Sequence, residues 1–159
     1  MFKRVDANID LPSVESEISA YWDKINAFET SVENRKNDKT FRFYDGPPFP
    51  TGSPHYGNLL AGVIKDIVPR YWTMRGYYVE RRFGWDVHGL PIEMEVQKNL
   101  NLEDPQQIDE YGIGKFNEAC RTQVQTNTEN WEKITRKIGR WVDFENDYKT
   151  MDIDFMESV

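Results

Sequence analysis

The chain has 159 residues, of which 38% are hydrophobic, 14% aromatic and 30% charged. This composition is typical of one folded domain, or of a piece of something larger, and it excludes a chain that is mainly disordered. Its 27 acidic and 20 basic residues give a net charge of -7, which excludes nucleic-acid binding through bulk positive charge and leaves only local contacts.

Targeting and cysteine content predict a cytoplasmic protein. No stretch approaches the roughly 18 to 20 apolar residues that a membrane helix needs, so no membrane contact is expected. The opening segment lacks the apolar core of a secretory signal. The single cysteine, Cys120, can form neither an internal disulfide nor a zinc site by itself, and we interpret it as a small core residue. No metal site is predicted.

The first forty residues predict a helix and a connector. Apolar residues recur at spacings of three and four from Leu11 to about Glu33, and Pro12 suits a first-turn position. One face of this helix is therefore expected to pack against the rest of the protein. The polar run 34–39 breaks the pattern, so residues 1–38 are interpreted as a helical appendage.

A short aromatic strand is predicted at residues 41–44, and the loop after it has an unusual composition. Residues 45–58 contain four of the eight prolines and three of the ten glycines. The backbone of this loop is thus both stiffened and free to adopt unusual dihedral angles, which suits a loop that holds one shape.

A helix from about His55 to Arg75 follows the loop, and its regular apolar face is expected to be buried. Pro69 lies inside this helix and should kink or split it, since proline removes one helical hydrogen bond. A second strand is predicted at residues 77–83. Strand, loop, helix and strand together predict a βαβ unit with parallel strands.

Both histidines of the chain follow predicted strands. His55 ends the loop after the first strand, and His88 lies in GWDVHGLPIE, residues 84–93, after the second. Open α/β sheets bind ligands at the carboxyl edge of their strands. A lone histidine is most often structural, but two at one edge favour a binding site.

The residues around these histidines suit a phosphate and an ammonium group. The helix that begins at His55 presents unpaired N–H groups to an anion, and Asn58 shares its first turn with His55, so both can donate to the same oxyanion. Asp86, beside the bulky Trp85, can hold an ammonium group or cap the next helix.

The two loops together resemble class I aminoacyl-tRNA synthetases. PTGSPHYGN, residues 50–58, resembles the element usually written HIGH, with Asn58 where histidine is more common. GWDVHGLPIE resembles the second element of the isoleucine-specific members, and His88 with Gly89 and Leu90 favours these over the leucine and valine members. The implied fold class is α/β, with residues 39–159 as the first half of a Rossmann-like catalytic domain made of parallel strands with crossover helices.

The resemblance implies activation of isoleucine with ATP and Mg2+, followed by transfer to tRNA(Ile) in translation. His55 and Asn58 would be catalytic. The residues expected to contact ATP are Pro54, His55, Gly57 and Asn58. Those expected to contact the amino acid are Gly46, Pro47, Asp86 and His88. An isoleucine carboxylate is already a nucleophile, so no general base is required, and no obvious Ser-His-Asp or Cys-His arrangement occurs.

The last third of the chain predicts a long helix at residues 113–141 with an apolar stripe. Its basic residues, Lys133, Arg136, Lys137 and Arg140, form either a solvated face that balances the acidic chain or a contact for the tRNA acceptor end. Residues 150–159 predict the opening of a helix that Asp152 or Asp154 can cap. We expect the chain to continue into an editing insertion, a second half-domain with a KMSKS loop and an anticodon-binding region. This remaining C-terminal portion of the synthetase is an expected partner of residues 1–159.

Other assignments remain open at this level. A leucine- or valine-specific synthetase would share most of these features. A small nucleotidylyltransferase would explain the HIGH-type element but neither GWDVHGLPIE nor the N-terminal helix. A non-catalytic fragment that binds ATP or a protein partner is the third alternative, because no KMSKS-like segment occurs in the sequence.

Overall fold

The computed structural model describes residues 8–159, which combine helices with a small parallel sheet, as the α/β prediction requires. The elements are α1 Leu11–Lys24, α2 Ala27–Glu33, α3 Tyr56–Met74, β1 Arg82–Trp85, α4 Leu90–Leu100, α5 Pro105–Tyr111, α6 Ile113–Lys137, β2 Asp143–Lys149 and α7 Ile153–Glu157. Residues 1–7 of the predicted appendage lie outside the described residues, and the division at residues 38 and 39 stays a prediction.

Parallel pairing of β1 with β2 forms the sheet. Arg82 is paired with Asp143 and Trp85 with Lys149. The register shifts between Arg82 and Gly84, so β2 has more residues than β1 over this stretch. The carboxyl ends of both strands therefore lie at the same edge. The sequence did not predict β2, because five of its seven residues are polar or charged.

The predicted strand at 41–44 is wrong. Those residues have no strand structure, and only an isolated parallel bridge joins Thr40 to Tyr78. Phe41 donates its N–H to the Tyr78 carbonyl at 2.9 Å, so the predicted parallel contact exists for a single step. Aromatic propensity at 41–44 is not sufficient, because a strand needs a continuous partner. The second predicted strand is likewise displaced, from 77–83 to β1.

An aromatic core lies between the sheet and the helices that follow it. Phe83 stacks on Phe144 with ring centroids 4.7 Å apart and contacts Trp85 at 4.5 Å. Val124 and Trp131 of α6 complete this core from the helical side. Cys120 is half-buried against the same cluster, and burial raises the pKa of its thiol, which agrees with the predicted structural role.

The predicted N-terminal helix is two helices. Asn26 has a left-handed backbone conformation with φ 46° and ends α1 before α2 begins. The expected packing against the rest of the protein is confirmed only in part, since neither helix contains a buried residue. The Trp22 ring meets Trp141 edge-on at 5.2 Å, and the Arg81 guanidinium lies over the Phe28 ring.

Helix α3 has nearly its predicted bounds, but its apolar face is exposed rather than buried. The buried residues of α3 are Gly62 and Pro69. Pro69 does not split the helix. Its carbonyl oxygen accepts hydrogen bonds from Thr73 Oγ1 at 2.8 Å and from Arg81 at 3.4 Å. Burial lowers the pKa of Arg81 to about 10, so this cation stays charged at neutral pH.

Of the remaining helices, α4, α6 and α7 correspond to predicted helices, whereas α5 was not predicted. α4 begins at Leu90, beside the predicted Pro91, and α6 begins at the predicted Ile113 but ends at Lys137, short of residue 141. Asp152 is the N-cap residue of the single turn of α7, but its side chain makes no capping hydrogen bond to that turn and accepts instead from the N–H of Lys149 at 3.1 Å. None of the helices within residues 8–159 is long and apolar enough to cross a membrane.

The pairing of β1 with β2 leaves no room for a side chain at position 84, which predicts the effect of substituting Gly84. A Cβ atom on Gly84 would lie 2.1 Å from the Tyr148 ring, so alanine must displace that ring. We expect Gly84→Ala to lower the free energy of unfolding by about 1–3 kcal/mol, the cost of overpacking. Gly114→Ala is the matched control, since Gly114 has open space at its Cβ position. Equal unfolding curves for the two variants would contradict this packing.

Candidate functional site

The first residue of the proline–glycine loop, Asp45, is buried among opposite charges. Its side chain is 1% exposed, and Lys65 Nζ lies 2.7 Å from its Oδ1. Arg140 binds the other carboxylate oxygen. The Tyr148 hydroxyl donates to the Asp45 carbonyl at 3.1 Å, and burial raises the pKa of Tyr148, with the Asp45 charge raising it further, so the phenol keeps this proton.

Arg140 is therefore not part of an exposed basic stripe, and its predicted place in a tRNA contact is wrong. Its side chain is 6% exposed and its guanidinium is bound to Asp45, 95 residues away in the sequence. Arg136 is exposed but pairs with Glu132 at 2.8 Å. Lys133 and Lys137 are exposed, so they keep the charge available to solvent that the prediction requires.

The middle of the loop is held by α6. Trp131 donates its indole N–H to the Gly52 carbonyl at 2.9 Å. Asn130 contacts the Ser53 hydroxyl at 3.4 Å. Because Trp131 is also a core residue, the loop is attached directly to the hydrophobic core.

The end of the loop caps α3. His55 is the N-cap residue, and its Nδ1 accepts from the N–H of Gly57 at 3.1 Å. The Asn58 side-chain oxygen accepts from the N–H of His55 at 3.0 Å, which closes a reciprocal capping box. The Asn58 amide group is thus oriented by the cap, with its N–H2 left as the donor.

This cap determines which nitrogen of His55 can bind an anion. Since Nδ1 is a hydrogen-bond acceptor, the proton of the neutral ring is on Nε2. His55 is exposed, so its Nε2–H can donate to a ligand beside the open N-terminus of α3. Gly57 permits this ring position, because a Cβ atom there would lie 3.0 Å from His55 Cε1.

The second predicted group gathers around Asp86. The N–H of Asp86 donates to the Pro48 carbonyl at 3.0 Å, which joins the loop after β1 to the residues following Gly46 and Pro47. Lys65 also binds the Gly46 carbonyl at 2.7 Å. Asp86 is therefore held beside Pro48, which follows Gly46 and Pro47 in the chain, and the contact of these three residues with an amino acid stays a prediction.

His88 is joined to Asp86 by a residue that the sequence did not reveal. The Thr150 hydroxyl lies 2.6 Å from His88 Nδ1 and donates to Asp86 Oδ1 at 3.3 Å. Thr150 follows directly after β2, so it would have been found only if that strand had been recognised.

A small cavity of about 210 Å3 lies beside the proline–glycine loop. Its walls include Pro54 and Asn58 from the end of the loop and Pro48 from the beginning, but neither His55 nor Asp86. Pro48 is the residue that accepts from Asp86. The expectation that His55 and Asp86 face one ligand stays a prediction.

No metal-binding cluster is present in the described part of the chain. Within residues 8–159, no three His, Cys, Asp or Glu side chains are close enough together to hold a metal ion.

Comparison with known proteins assigns this architecture to a family. The family model described as tRNA synthetases class I (I, L, M and V) matches residues 17–159. The chain is 50% identical over all 159 residues to the isoleucine–tRNA ligase of Treponema denticola, and 54% identical over 150 residues to that of Mycobacterium tuberculosis. It spans 14% of the length of each of these relatives.

A solved structure has the same fold. The LeuRS of Agrobacterium radiobacter K84, in a ternary complex with tRNA and LeuAMS, superimposes with a TM-score of 0.64. The superposition covers 93% of this chain and 17% of that one, at 21% sequence identity. At this identity the likeness concerns the fold.

The buried Asp45 gives a prediction for stability. Asp45→Asn keeps the shape but leaves Arg140 and Lys65 without their counter-charge, so we expect unfolding to become easier by about 3–5 kcal/mol. Glu33→Gln, which removes an exposed partner of Lys36, should change it by less than about 1 kcal/mol. Denaturant titration measures both. A loss for Asp45→Asn no larger than that of the control would show that the cluster does not hold the loop.

The His55 cap gives a prediction for local structure. In Gly57→Ala the new Cβ atom pushes the imidazole away from the Gly57 N–H. We expect the histidine Nδ1 resonance to lose its hydrogen-bonded shift while overall stability falls by about 1 kcal/mol, the scale of a lost cap. Gly114→Ala serves again as the control, and an unchanged His55 resonance in Gly57→Ala would contradict the cap geometry.

Proposed function

Because the chain belongs to the class I tRNA synthetases (I, L, M and V), we propose that it forms part of an enzyme that activates isoleucine with ATP and transfers it to tRNA(Ile) in translation. The observation that carries this proposal is the 50–54% identity to isoleucine–tRNA ligases over nearly the whole chain. The loop geometry around His55 and Asp86 supports it independently.

ATP is proposed to bind at the end of the proline–glycine loop. His55 donates from Nε2 to a phosphate oxygen, and Asn58 donates from its amide at the same turn. The positive end of α3 adds its dipole. Pro54 stiffens the backbone beside the nucleotide, and Gly57 leaves that backbone without a side chain that would obstruct the nucleotide.

Isoleucine is proposed to bind at the beginning of the same loop. Asp86 accepts a charge-assisted hydrogen bond from the ammonium group, while Gly46 and Pro47 lie along the amino acid. His88, which contacts the same Thr150 hydroxyl as Asp86, lies beside the same ammonium group. The carboxylate then points toward the nucleotide.

Catalysis depends on positioning the two substrates and on stabilising the charge that develops in the reaction. An isoleucine carboxylate oxygen attacks the α-phosphorus of ATP, the bond to the β,γ-pyrophosphate breaks, and pyrophosphate leaves with its electron pair. The ribose hydroxyl of the tRNA end then attacks the acyl carbon and releases AMP. His55 and Asn58 stabilise the negative charge that builds up on the phosphoryl oxygens in the first step.

The enzyme is proposed to work in the cytoplasm and to bind ATP together with Mg2+. ATP phosphates carry Mg2+ as a counter-ion, and the residues described here add no metal cage of their own. Translation and the single half-buried thiol of Cys120 both fit a reducing compartment. The remaining C-terminal portion of the family's chain is the proposed partner within the same enzyme.

The proposal predicts the effect of removing the main phosphate donor. His55→Ala should slow isoleucine-dependent ATP–pyrophosphate exchange by about a hundredfold or more, the scale of one lost oxyanion donor. The exchange is measured on the 159-residue chain and on a natural full-length chain that contains it. Exchange within about threefold of wild type, well below that scale, would count against the role of His55. Binding of ATP without exchange in either wild-type chain would favour the non-catalytic alternative.

A tRNA contact at the exposed end of α6 predicts a change in salt dependence. Reversing Lys133 and Lys137 to glutamate should weaken tRNA binding and lower the slope of log K against log salt by about 1 to 2. Lys98→Glu with Lys115→Glu makes the same charge change on α4 and near the start of α6, and it should leave the slope nearly unchanged. Equal slopes for the two double variants would contradict a tRNA contact and would show that Lys133 and Lys137 only form a solvated face.

A further inference from the structure

Thr150 lies at the carboxyl edge of the sheet because of strand pairing. It follows Lys149, the last residue of β2, and Asp86 follows Trp85, the last residue of β1. These last residues are partners in the parallel register, and the N–H of Thr150 donates to the Trp85 carbonyl at 3.0 Å. Thr150 is 6% exposed, so its hydroxyl must find its partners inside the protein.

Three groups surround that single hydroxyl. The backbone N–H of Val87 donates to it at 3.0 Å. Asp86 Oδ1, a carboxylate oxygen that can only accept, lies at 3.3 Å and His88 Nδ1 lies at 2.6 Å. A hydroxyl has one proton and two lone pairs, so its capacity is filled by these three contacts.

The hydrogen count determines the state of His88. The hydroxyl proton is given to Asp86, and one lone pair accepts from Val87. The second lone pair therefore accepts from His88, which requires a proton on Nδ1. A neutral His88 then has its bare lone pair on Nε2.

We propose that Thr150 is a positioning residue that orients the Asp86 carboxylate and holds His88 in the Nδ1–H tautomer, so that Asp86 and His88 Nε2 both present acceptors to the ammonium group of an amino acid. The part of this proposal that concerns the amino acid rests on the proposed function. The part that concerns the tautomer stands on the hydrogen-bond geometry alone.

The structure supplies an internal reference for the test. The only other histidine of the chain is His55, whose Nδ1 accepts from the Gly57 N–H, so its neutral ring has the proton on Nε2. The two histidines are thus expected to be opposite tautomers in one spectrum. Thr150 does not contact His55, so only one of the two should respond to its substitution.

The first measurement is nitrogen NMR of the 159-residue chain with 15N-labelled histidine rings, at mildly alkaline pH. His88→Gln assigns the two signals. In the wild type, we expect His88 to be protonated on Nδ1 and His55 on Nε2. Thr150→Val should shift His88 toward the Nε2–H form without changing His55, and Thr150→Ser should retain the wild-type pattern.

The unchanged His55 signal also shows that the valine variant is folded. If that variant does not fold, the wild-type and Thr150→Ser spectra decide alone. An Nε2–H form of His88 in the wild type, or an unchanged His88 in a folded Thr150→Val chain, would overturn the proposal.

The second measurement separates positioning from general damage. In a natural full-length chain, Thr150→Val should raise the KM for isoleucine in pyrophosphate exchange by about 10-fold, the loss of one hydrogen bond to a charged group. The KM for ATP should not change, and Thr150→Ser should restore the isoleucine KM. Equal rises in both KM values would overturn the amino-acid role of Thr150. A wild-type chain without isoleucine-dependent exchange would refute the proposed function, while the tautomer result would remain valid.

Discussion

The parallel register of β1 and β2 is the constraint on which the candidate site depends. It sets Trp85 beside Lys149, and therefore brings the first residues after the two strands, Asp86 and Thr150, to one edge of the sheet. The N–H of Asp86 then reaches the Pro48 carbonyl, which attaches the proline–glycine loop to that edge. One strand pair thus fixes the end of the sheet, the loop and the side chains between them.

Buried charge holds the loop that the strands position. Asp45 is surrounded by Lys65 of α3, by Arg140 after α6 and by Tyr148 of β2, so three separate elements converge on the start of the loop. Such a cluster is costly to bury and contributes little to stability compared with an apolar core of the same size. It does fix geometry, and the Trp131 contact with Gly52 and the His55 cap fix the rest of the loop.

Local signals in the sequence were sufficient for most of the helices, but not for α5 or for the break between α1 and α2, and they were insufficient for the contacts between distant residues. Apolar periodicity predicted α3 to within one residue at each end. β2 is mostly polar and exists through its pairing with β1, so no propensity could reveal it. The same applies to Asp45 and Arg140, which are 95 residues apart, and to Thr150, whose role depends on that unrecognised strand. Periodicity predicted that one face of α3 is apolar, but it could not say that the face is exposed within the described residues.

A phosphate donor at one end of the proline–glycine loop and an ammonium acceptor at the other are proposed to contact a single ligand. A crystal structure of the chain with a non-hydrolysable isoleucyl-adenylate analogue tests this most directly. The account predicts the phosphate-replacing oxygens within about 2.7–3.2 Å of His55 Nε2 and the ammonium nitrogen within the same reach of the Asp86 carboxylate. An analogue bound with its ammonium group away from Asp86, or one that contacts neither side chain, would contradict it.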